Sequence, residues 1–416
     1  MSENRLIKSL RLKNFLSFGN EGEAIELQPL NVLIGANASG KSNLVETFLL
    51  LRSLTGGFAQ ALRNGGGIGE YISKLEGAES IAEIELLMSS QEESEYEGLN
   101  YEIGFTRLGQ TYEITNERLA DSNFFKSSHI PDFIIDEKAY SHSGYTYYCL
   151  QNGESLIYSN NKKSIEKLGT DMGSIIVNLQ QSILSQLRDP QNYPQLAYVT
   201  KSFEQIKIYK EWQFTQYQKP RIPVDTSLPS DFLLEDAQNL ALVLNDLDNK
   251  PVQKQIISEV NSFYPDVERI NTLVQGSTIQ LYFVEKNLRR PVPAIRLSDG
   301  TLRFLCLLSI LCHPTPPPLI CIEEPEIGLH PDMLETIAKL LLDASKRTQL
   351  IVTTHSDILV SAIARLSDSP EPILVCERDK DGTHLRRLEK EKLQEWLDEY
   401  SLGELWLKGE VGGTRW

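Results

Sequence analysis

Residues 31–42, NVLIGANASGKS, decide how the rest of the chain is read. The apolar run Val32-Leu33-Ile34 has the character of a buried strand, and Gly35-Ala36-Asn37-Ala38-Ser39-Gly40-Lys41-Ser42 satisfies GxxxxGK[ST] at every fixed position. Glycines let successive backbone N–H groups turn inward around phosphate oxygens, and the helix that follows adds its positive N-terminal end. Lys41 is placed to reach the β- and γ-phosphates of a nucleoside triphosphate, and the Ser42 hydroxyl to help hold Mg²⁺. Downstream, Leu44, Phe48 and Leu51 share one helical face. Strand, glycine loop and helix are the order this motif requires. The sequence therefore predicts a nucleotide site at Gly35, Asn37, Ala38, Ser39, Gly40, Lys41, Ser42 and Asn43.

The C-terminal third supplies the matching chemistry. Leu319-Ile320-Cys321-Ile322 reads as a buried strand running into Glu323-Glu324-Pro325-Glu326. Two carboxylates at the end of a buried strand are costly unless they act. Beside a phosphate loop, Glu323 is suited to the Mg²⁺ shell and Glu324 to polarising the water that attacks the γ-phosphate. A second buried strand, residues 350–354, ends at His355, which is placed to contact the γ-phosphate, and Ser356 can cap the next helix. Pro331 opens a helix whose Leu334, Ile337, Ala338 and Leu341 share a face. Leu297-Ser298-Asp299-Gly300-Thr301 precedes another apolar helix. Strands alternating with helices argue for a largely parallel α/β sheet. Glu326 and His330, at i and i+4, suggest a metal pair only weakly, since no third ligand is in view.

Composition bounds the rest. The 416 residues include 41 Lys+Arg against 57 Asp+Glu, a net charge of −16, with 41% hydrophobic residues, enough for a sizeable core. A protein that coats nucleic acid unaided is usually basic, so any such contact here needs a local patch, a dimer groove or a partner. No apolar run reaches the roughly 18 residues of a bilayer span, and the start of the chain lacks a signal-peptide pattern. Five cysteines without metal-ligand spacing suit reduced core thiols in a cytoplasmic protein.

Between these motifs the sequence is less specific. Residues 5–18 and 24–35 read as two strands leading to the phosphate loop. Gly65-Gly66-Gly67-Ile68-Gly69 has no apolar strand before it and reads as a turn, not a second phosphate loop. Short alternating segments from about 80 to 160 read as an antiparallel sheet, including residues 132–138. The tyrosines from Tyr140 to Tyr158 could stack on bases but fit sheet packing better. Residues 172–220 look mostly helical, 219–231 a proline-containing loop, and 232–262 helical again. Residues 373–388 read as a hairpin turning at Asp381-Gly382.

Taken together, the phosphate loop, LSDGT, ICIEEPEIGLHP and TTHS, in this order, resemble the ATPase heads of the ABC superfamily, in its SMC/RecF/OLD-like branch. The opening LRLKNFLSF is similar to the first strand of RecF and SMC heads, EEPE with GLHP is typical of OLD-like ATPases, and the tail DEYSLGELWLKGEVGG resembles a bacterial AAA family of RecF-like ATPases. The resemblance implies an α/β fold, a P-loop NTPase of ABC-type head architecture: a mixed sheet with an antiparallel β-subdomain and an inserted helical lid. It divides the chain into 1–120 and 291–416 as the two parts of the head and 121–290 as the inserted strand and helical region. It implies ATP and Mg²⁺, hydrolysis, and a homodimer formed on ATP binding in which Ser298 and Gly300 complete the partner's site. Asp299 and Thr301 depart from the transporter form LSGGQ, Leu16 stands where relatives often carry Arg, and Glu323 replaces the usual Asp. The glutamine loop is not placed; Gln186 is the candidate. Glu377, Asp379 and Asp381 superficially resemble the acidic set of a TOPRIM nuclease, but the hairpin reading is simpler, and cleavage is expected of a separate nuclease or effector partner. DNA repair or antiphage defence is the setting the resemblance implies. The alternatives are the cytosolic ATPase of a transporter and a non-hydrolysing scaffold.

Overall fold

The computed structural model describes residues 5–90, 98–122, 146–151, 153–159, 164–168, 177–210, 212–215, 217–397 and 399–412. The chain opens with β1 (Ile7–Lys13) and β2 (Glu23–Glu26), antiparallel with Leu10 opposite Ile25. The expected strand at 24–35 is two strands. Pro29, with no N–H for a ladder, marks the break, and β3 (Leu30–Gly35) enters a different sheet. The phosphate loop leads from β3 into α1 (Lys41–Ser53), where Leu44, Phe48 and Leu51 are buried. Helices α2 (Phe58–Asn64) and α3 (Ile68–Tyr71) are joined by Gly65-Gly66-Gly67, a turn with Gly66 and Gly67 at φ +95° and +100°.

Next come β4 (Ile81–Met88), β5 (Leu99–Leu108), β6 (Thr111–Asp121), β7 (Thr146–Gln151), β8 (Glu154–Ser159) and β9 (Ser164–Leu168). With β1 and β2 they form one eight-stranded sheet in the order β2-β1-β4-β5-β6-β7-β8-β9, every pair antiparallel. Tyr147 and Tyr148 are buried in it, as sheet packing requires. The strand expected at residues 132–138, and Tyr140, lie outside the described residues.

The reading of 172–220 as mostly helical needs correction. Helix α4 (Ile183–Gln186) is a single turn, α5 (Pro194–Glu204) stops at Glu204, and β10 (Lys207–Tyr209) is a strand. Three residues are too few to show a period, and Ile208 and Tyr209 are buried against a neighbouring strand, so tertiary packing decided. After β11 (Val224–Asp225), helix α6 (Leu240–Asp248) begins at Leu240, not at Phe232. The cause is the buried Asn239 side chain, which donates to Pro229 O and Phe232 O and accepts from Leu234 N, folding that stretch into turns. Helix α7 (Gln253–Phe263), β12 (Val267–Gln275), β13 (Thr278–Glu285) and β14 (Val292–Pro293) follow, the strands joining β11 in a small antiparallel sheet.

The last part alternates as expected: α8 (Asp299–Leu311), β15 (Leu319–Glu323), α9 (Leu334–Ala344), β16 (Gln349–Thr353), α10 (Asp357–Ser367), then the hairpin β17 (Ile373–Arg378) and β18 (Thr383–Arg387), α11 (Lys390–Leu397) and α12 (Leu402–Leu407). The central sheet has the order β10-β15-β16-β3-β17-β18, parallel except for β18. Its central strands β3, β15 and β16 are buried on both faces. Val32, Ile34, Ile320, Ile322, Leu350 and Val352 face one core with α8, α9 and α10. Leu33, Leu319, Cys321 and Ile351 face a second core with α1 and the eight-stranded sheet. This two-residue alternation between two apolar layers explains why the strands read as continuous hydrophobic runs.

Candidate functional site

In an open α/β sheet, ligands gather at the carboxyl ends of the strands. Here three adjacent strands end level with one another: Thr353 pairs with Leu33 on one side and with Glu323 on the other. The phosphate loop leaves β3, the acids leave β15, and His355 follows β16 between them. Three motifs spread over more than three hundred residues of sequence thus meet at one edge.

The loop is closely built. Gly35 and Gly40 sit at φ +154° and +112°, and a Cβ on Gly35 would come within 2.4 Å of Cys376 O, one on Gly40 within 2.4 Å of Thr383 Oγ1. Ala38 also lies in the left-handed region, at φ +61°. Lys41 is buried, its Nζ donating to Gly35 O at 2.7 Å and Ala36 O at 3.0 Å. Burial lowers its pKa, partly opposed by the neighbouring Cys376 and Glu324. Asn37, Ala38 and Ser42 are exposed, whereas Ser39 is buried with its Oγ unpartnered.

Two braces of this loop were not anticipated from the sequence. Thr383 Oγ1, on β18, donates to Ser39 O at 2.9 Å and to Ser17 Oγ at 2.7 Å. Asn43 Nδ2 donates to the same Ser17 Oγ at 2.6 Å. Thr383 belongs to no motif and Ser17 has no assigned role in the opening LRLKNFLSF; the return of β18 to the sheet edge brings them together. Leu16 is half-buried, its N–H donating to Tyr71 O at 2.8 Å.

Glu323 and Glu324 are both half-buried. Glu323 Oε1 is buried without a partner, and burial raises its carboxyl pKa, moderated by Lys210 and reinforced by Glu324 and Glu46. Lys210, just past β10, pairs with Glu46 of α1 at 3.2 Å. Glu324 adopts φ +47°, a left-handed conformation that a non-glycine residue keeps only when its surroundings hold it. Its Oε1 lies 3.5 Å from His355 Nε2.

The weaker metal pair does not assemble. Glu326 Oε1 accepts from Thr354 Oγ1 and His355 N, while His330 caps the turn at Pro331–Met333. The Gln186 amide ties its own turn, donating to Asn178 O and Gln181 O. Glu377 and Asp379 lie on the hairpin of β17 and β18, where Asp379 Oδ1 accepts from Asp381 N and Gly382 N.

Ser298 and Gly300 stand at the start of α8. Ser298 Oγ accepts from Thr301 N at 3.0 Å and caps the helix. A Cβ on Gly300 would meet Gly328 O at 2.5 Å, so this glycine lets α8 approach the loop after β15. Behind it, the buried Arg221 donates to Leu297 O and to the Asp299 carboxylate, and Arg303 donates to Trp212 O. The LSDGT segment is therefore packed against the loop after β15 through Gly300 and, with the first turn of α8, against the stretch after β10 through Arg303.

The chain is similar to several known proteins. A family model described as "AAA domain, putative AbiEii toxin, Type IV TA system" matches residues 30–146 and 153–361. The ATP/GTP phosphatase of Helicobacter pylori (strain ATCC 700392 / 26695) is 23% identical over 397 residues, covering 92% of this chain and 91% of that protein. The Old nuclease of Escherichia phage P2 is 27% identical over 185 residues, 39% of this chain but only 30% of the nuclease. Among solved structures, an SMC head bound to the C-winged helix domain of ScpA has a TM-score of 0.53 at 14% identity, covering 93% of this chain and 99% of that one. An SMC head with an extended coiled coil, bound to the C-terminal domain of ScpA and derived from Pyrococcus furiosus, has a TM-score of 0.51 at 13% identity, covering 95% and 99%. At these identities the structural likeness is one of fold, and the fold is that of an ABC-type ATPase head. Among the described residues, no helix is long and apolar enough to cross a membrane.

Proposed function

This chain belongs to the AAA domain family whose model it matches, and on that premise we propose that it is an SMC/RecF/OLD-like ATPase that binds ATP and Mg²⁺ at the ends of β3, β15 and β16. Hydrolysis drives opening of a dimer that ATP closes. The observation that carries this reading is the convergence of the phosphate loop, Glu324 and His355 on three adjacent strands, with Glu324 Oε1 3.5 Å from His355 Nε2.

The roles follow from the chemistry. Lys41 exchanges two carbonyl dipoles for negatively charged phosphate oxygens, so an ion–dipole contact becomes an ion pair. The backbone of Asn37, Ala38, Ser39 and Gly40, with the first turn of α1 at Ser42 and Asn43, cradles the phosphates. The unpartnered Oε1 of Glu323 fits a cation, and Ser42 with Glu323 would hold Mg²⁺. When bound, Mg²⁺ offsets the charge of the β- and γ-phosphates. Glu324 orients and polarises the attacking water, and His355 contacts the γ-phosphate and steadies the Glu324 carboxylate. Gln213, exposed just beyond β10 and beside the strand of the acids, is a better candidate for the glutamine loop than Gln186.

Ser298 and Gly300 serve the partner's γ-phosphate in the closed dimer, so ATP has differential affinity for that state. The kinship with the Old nuclease and the fold shared with ScpA-bound SMC heads support action on nucleic acid together with a partner protein, in DNA repair or antiphage defence. The net charge of −16 favours a contact made through that partner or a local patch. The test is steady-state ATP hydrolysis at low salt with and without duplex DNA, single-stranded DNA and RNA, beside Glu324→Gln. Stimulation by one polymer identifies the ligand class; turnover equal in wild type and Glu324→Gln contradicts the catalytic assignment.

A further inference from the structure

The loops that follow β15 and β16 are joined by one carboxylate outside the roles assigned above. Glu326 Oε1 accepts from Thr354 Oγ1 and from His355 N, both at 2.7 Å. Thr354 is itself fully buried, passes its Oγ1 on as acceptor to Ser356 N at 3.0 Å, and ties its own N–H to Leu33 O of the phosphate-loop strand at 3.1 Å. On the other side of Pro325, Glu324 N donates to Thr353 O at 2.9 Å. The Glu323–Glu326 turn is thus fastened to the end of β16 at two points, the first of them the left-handed Glu324 itself and the second Glu326. The second Glu326 oxygen, Oε2, is buried and unpartnered. A carboxylate left half satisfied in this way is unfavourable, and what it gains is the hold of Oε1 on the His355 loop.

We infer that Glu326 is a positioning residue for hydrolysis: by holding the His355 main chain and the Thr354 hydroxyl it keeps His355 in register with the strained Glu324. It acts through those two residues. Without it, His355 N and Thr354 Oγ1 lose their acceptor, and of the two fastenings between this turn and the end of β16 only Glu324 N–Thr353 O remains. This inference rests on the ATPase reading above.

The test uses the full chain with Glu326→Ala and Glu326→Gln. Glutamine keeps an acceptor for both donors without the charge; alanine removes it. The expected result for Glu326→Ala is kcat lower by about 10- to 100-fold with the Kd for a fluorescent ATP analogue within about threefold of wild type. Glu326→Gln should restore most of that loss. A structural readout runs beside it: the His355 ring resonance, identified by its disappearance in His355→Gln, shifts or broadens in Glu326→Ala and returns towards its wild-type position in Glu326→Gln. If alanine damages folding, Thr354→Val, which deletes one of the two donors, should shift the same resonance and lower kcat by a smaller factor. Wild-type kcat and an unmoved resonance in Glu326→Ala overturn the inference. So does a Glu326→Gln protein as slow as Glu326→Ala, because the charge itself would then be acting. If wild type hydrolyses no ATP and Lys41→Ala binds nucleotide normally, the ATPase reading has failed, and the His355 resonance still decides whether Glu326 holds the loop.

Discussion

Glu324 Oε1 lies 3.5 Å from His355 Nε2, across the ends of two neighbouring parallel strands, with Glu324 in a left-handed backbone conformation. On the reading proposed above, the pair would set a carboxylate where water can be oriented towards a phosphate held by the loop after β3, on the other side of β16. Glu324→Gln keeps the size of the side chain and removes its basicity. Turnover should fall by roughly 10²- to 10⁴-fold while ATP binding is retained. Rapid-quench phosphate release and equilibrium nucleotide binding check the two halves separately.

Lys41 directs its donors to Gly35 O and Ala36 O, and on the proposed reading a bound phosphate would take them. Lys41→Ala removes the cation at the heart of the loop. ATP should no longer raise the melting temperature, whereas it raises that of wild type by mass action. A thermal shift with saturating ATP is the measurement.

Thr383 Oγ1 braces the loop from outside any motif. Thr383→Val is nearly isosteric but removes the donor to Ser39 O in a buried setting, at about 1–3 kcal/mol, while Ser17 Oγ keeps its bond from Asn43 Nδ2. Thr383→Ser keeps the hydroxyl and should lose less. Urea denaturation of both variants, with the KM for ATP measured alongside, shows whether the brace serves stability, the loop, or both.

Ser298 caps α8 through Thr301 N. Ser298→Asp preserves an N-cap, since aspartate is as good a cap as serine, while it adds a negative charge where the partner's γ-phosphate would approach. Monomer stability and ATP binding should be unchanged and ATP-dependent dimerisation lost. Sedimentation velocity with ATP is decisive; a normal dimer would rule out the trans role of Ser298.

The thiols report on the core. Burial pushes Cys312 and Cys376 up to about 12, from 9.0 for a free thiol. Because the folded pKa is the higher one, the stabilisation is complete below about pH 9 and declines as pH rises towards 12. Urea midpoints should therefore fall as pH rises from about 9 to 10.5, and more gently in Cys376→Ala. Four of the five cysteines are buried and should react with a thiol reagent only after unfolding.

Much of this site was legible in the sequence because its motifs are local. GANASGKS, IEEPE and TTHS each carry glycines, acids or a histidine directly after an apolar run, and the alternating burial of β3, β15 and β16 makes those runs visible. What was not legible is non-local. The strand β10 is three residues long and is fixed from outside its own sequence, by pairing with β15 and by Glu235 Oε1, which accepts from Ile208 N. Ser17 and Thr383 are ordinary hydroxyl residues until they meet over the loop. Glu326 looked like half of an i, i+4 pair with His330, but its side chain reaches instead to the loop 28 residues further along the chain, to Thr354. Helix spacing gave a candidate partner on the same element; the fold supplied a better one on the next strand.

The most direct test of the central claim measures phosphate release and oligomeric state together for wild type and Glu324→Gln with ATP and Mg²⁺. The account predicts slow but measurable release and a transient dimer for wild type, against a stable ATP-bound dimer without release for Glu324→Gln. Equal release by the two proteins, or an ATP-bound Glu324→Gln protein that stays monomeric, would contradict it.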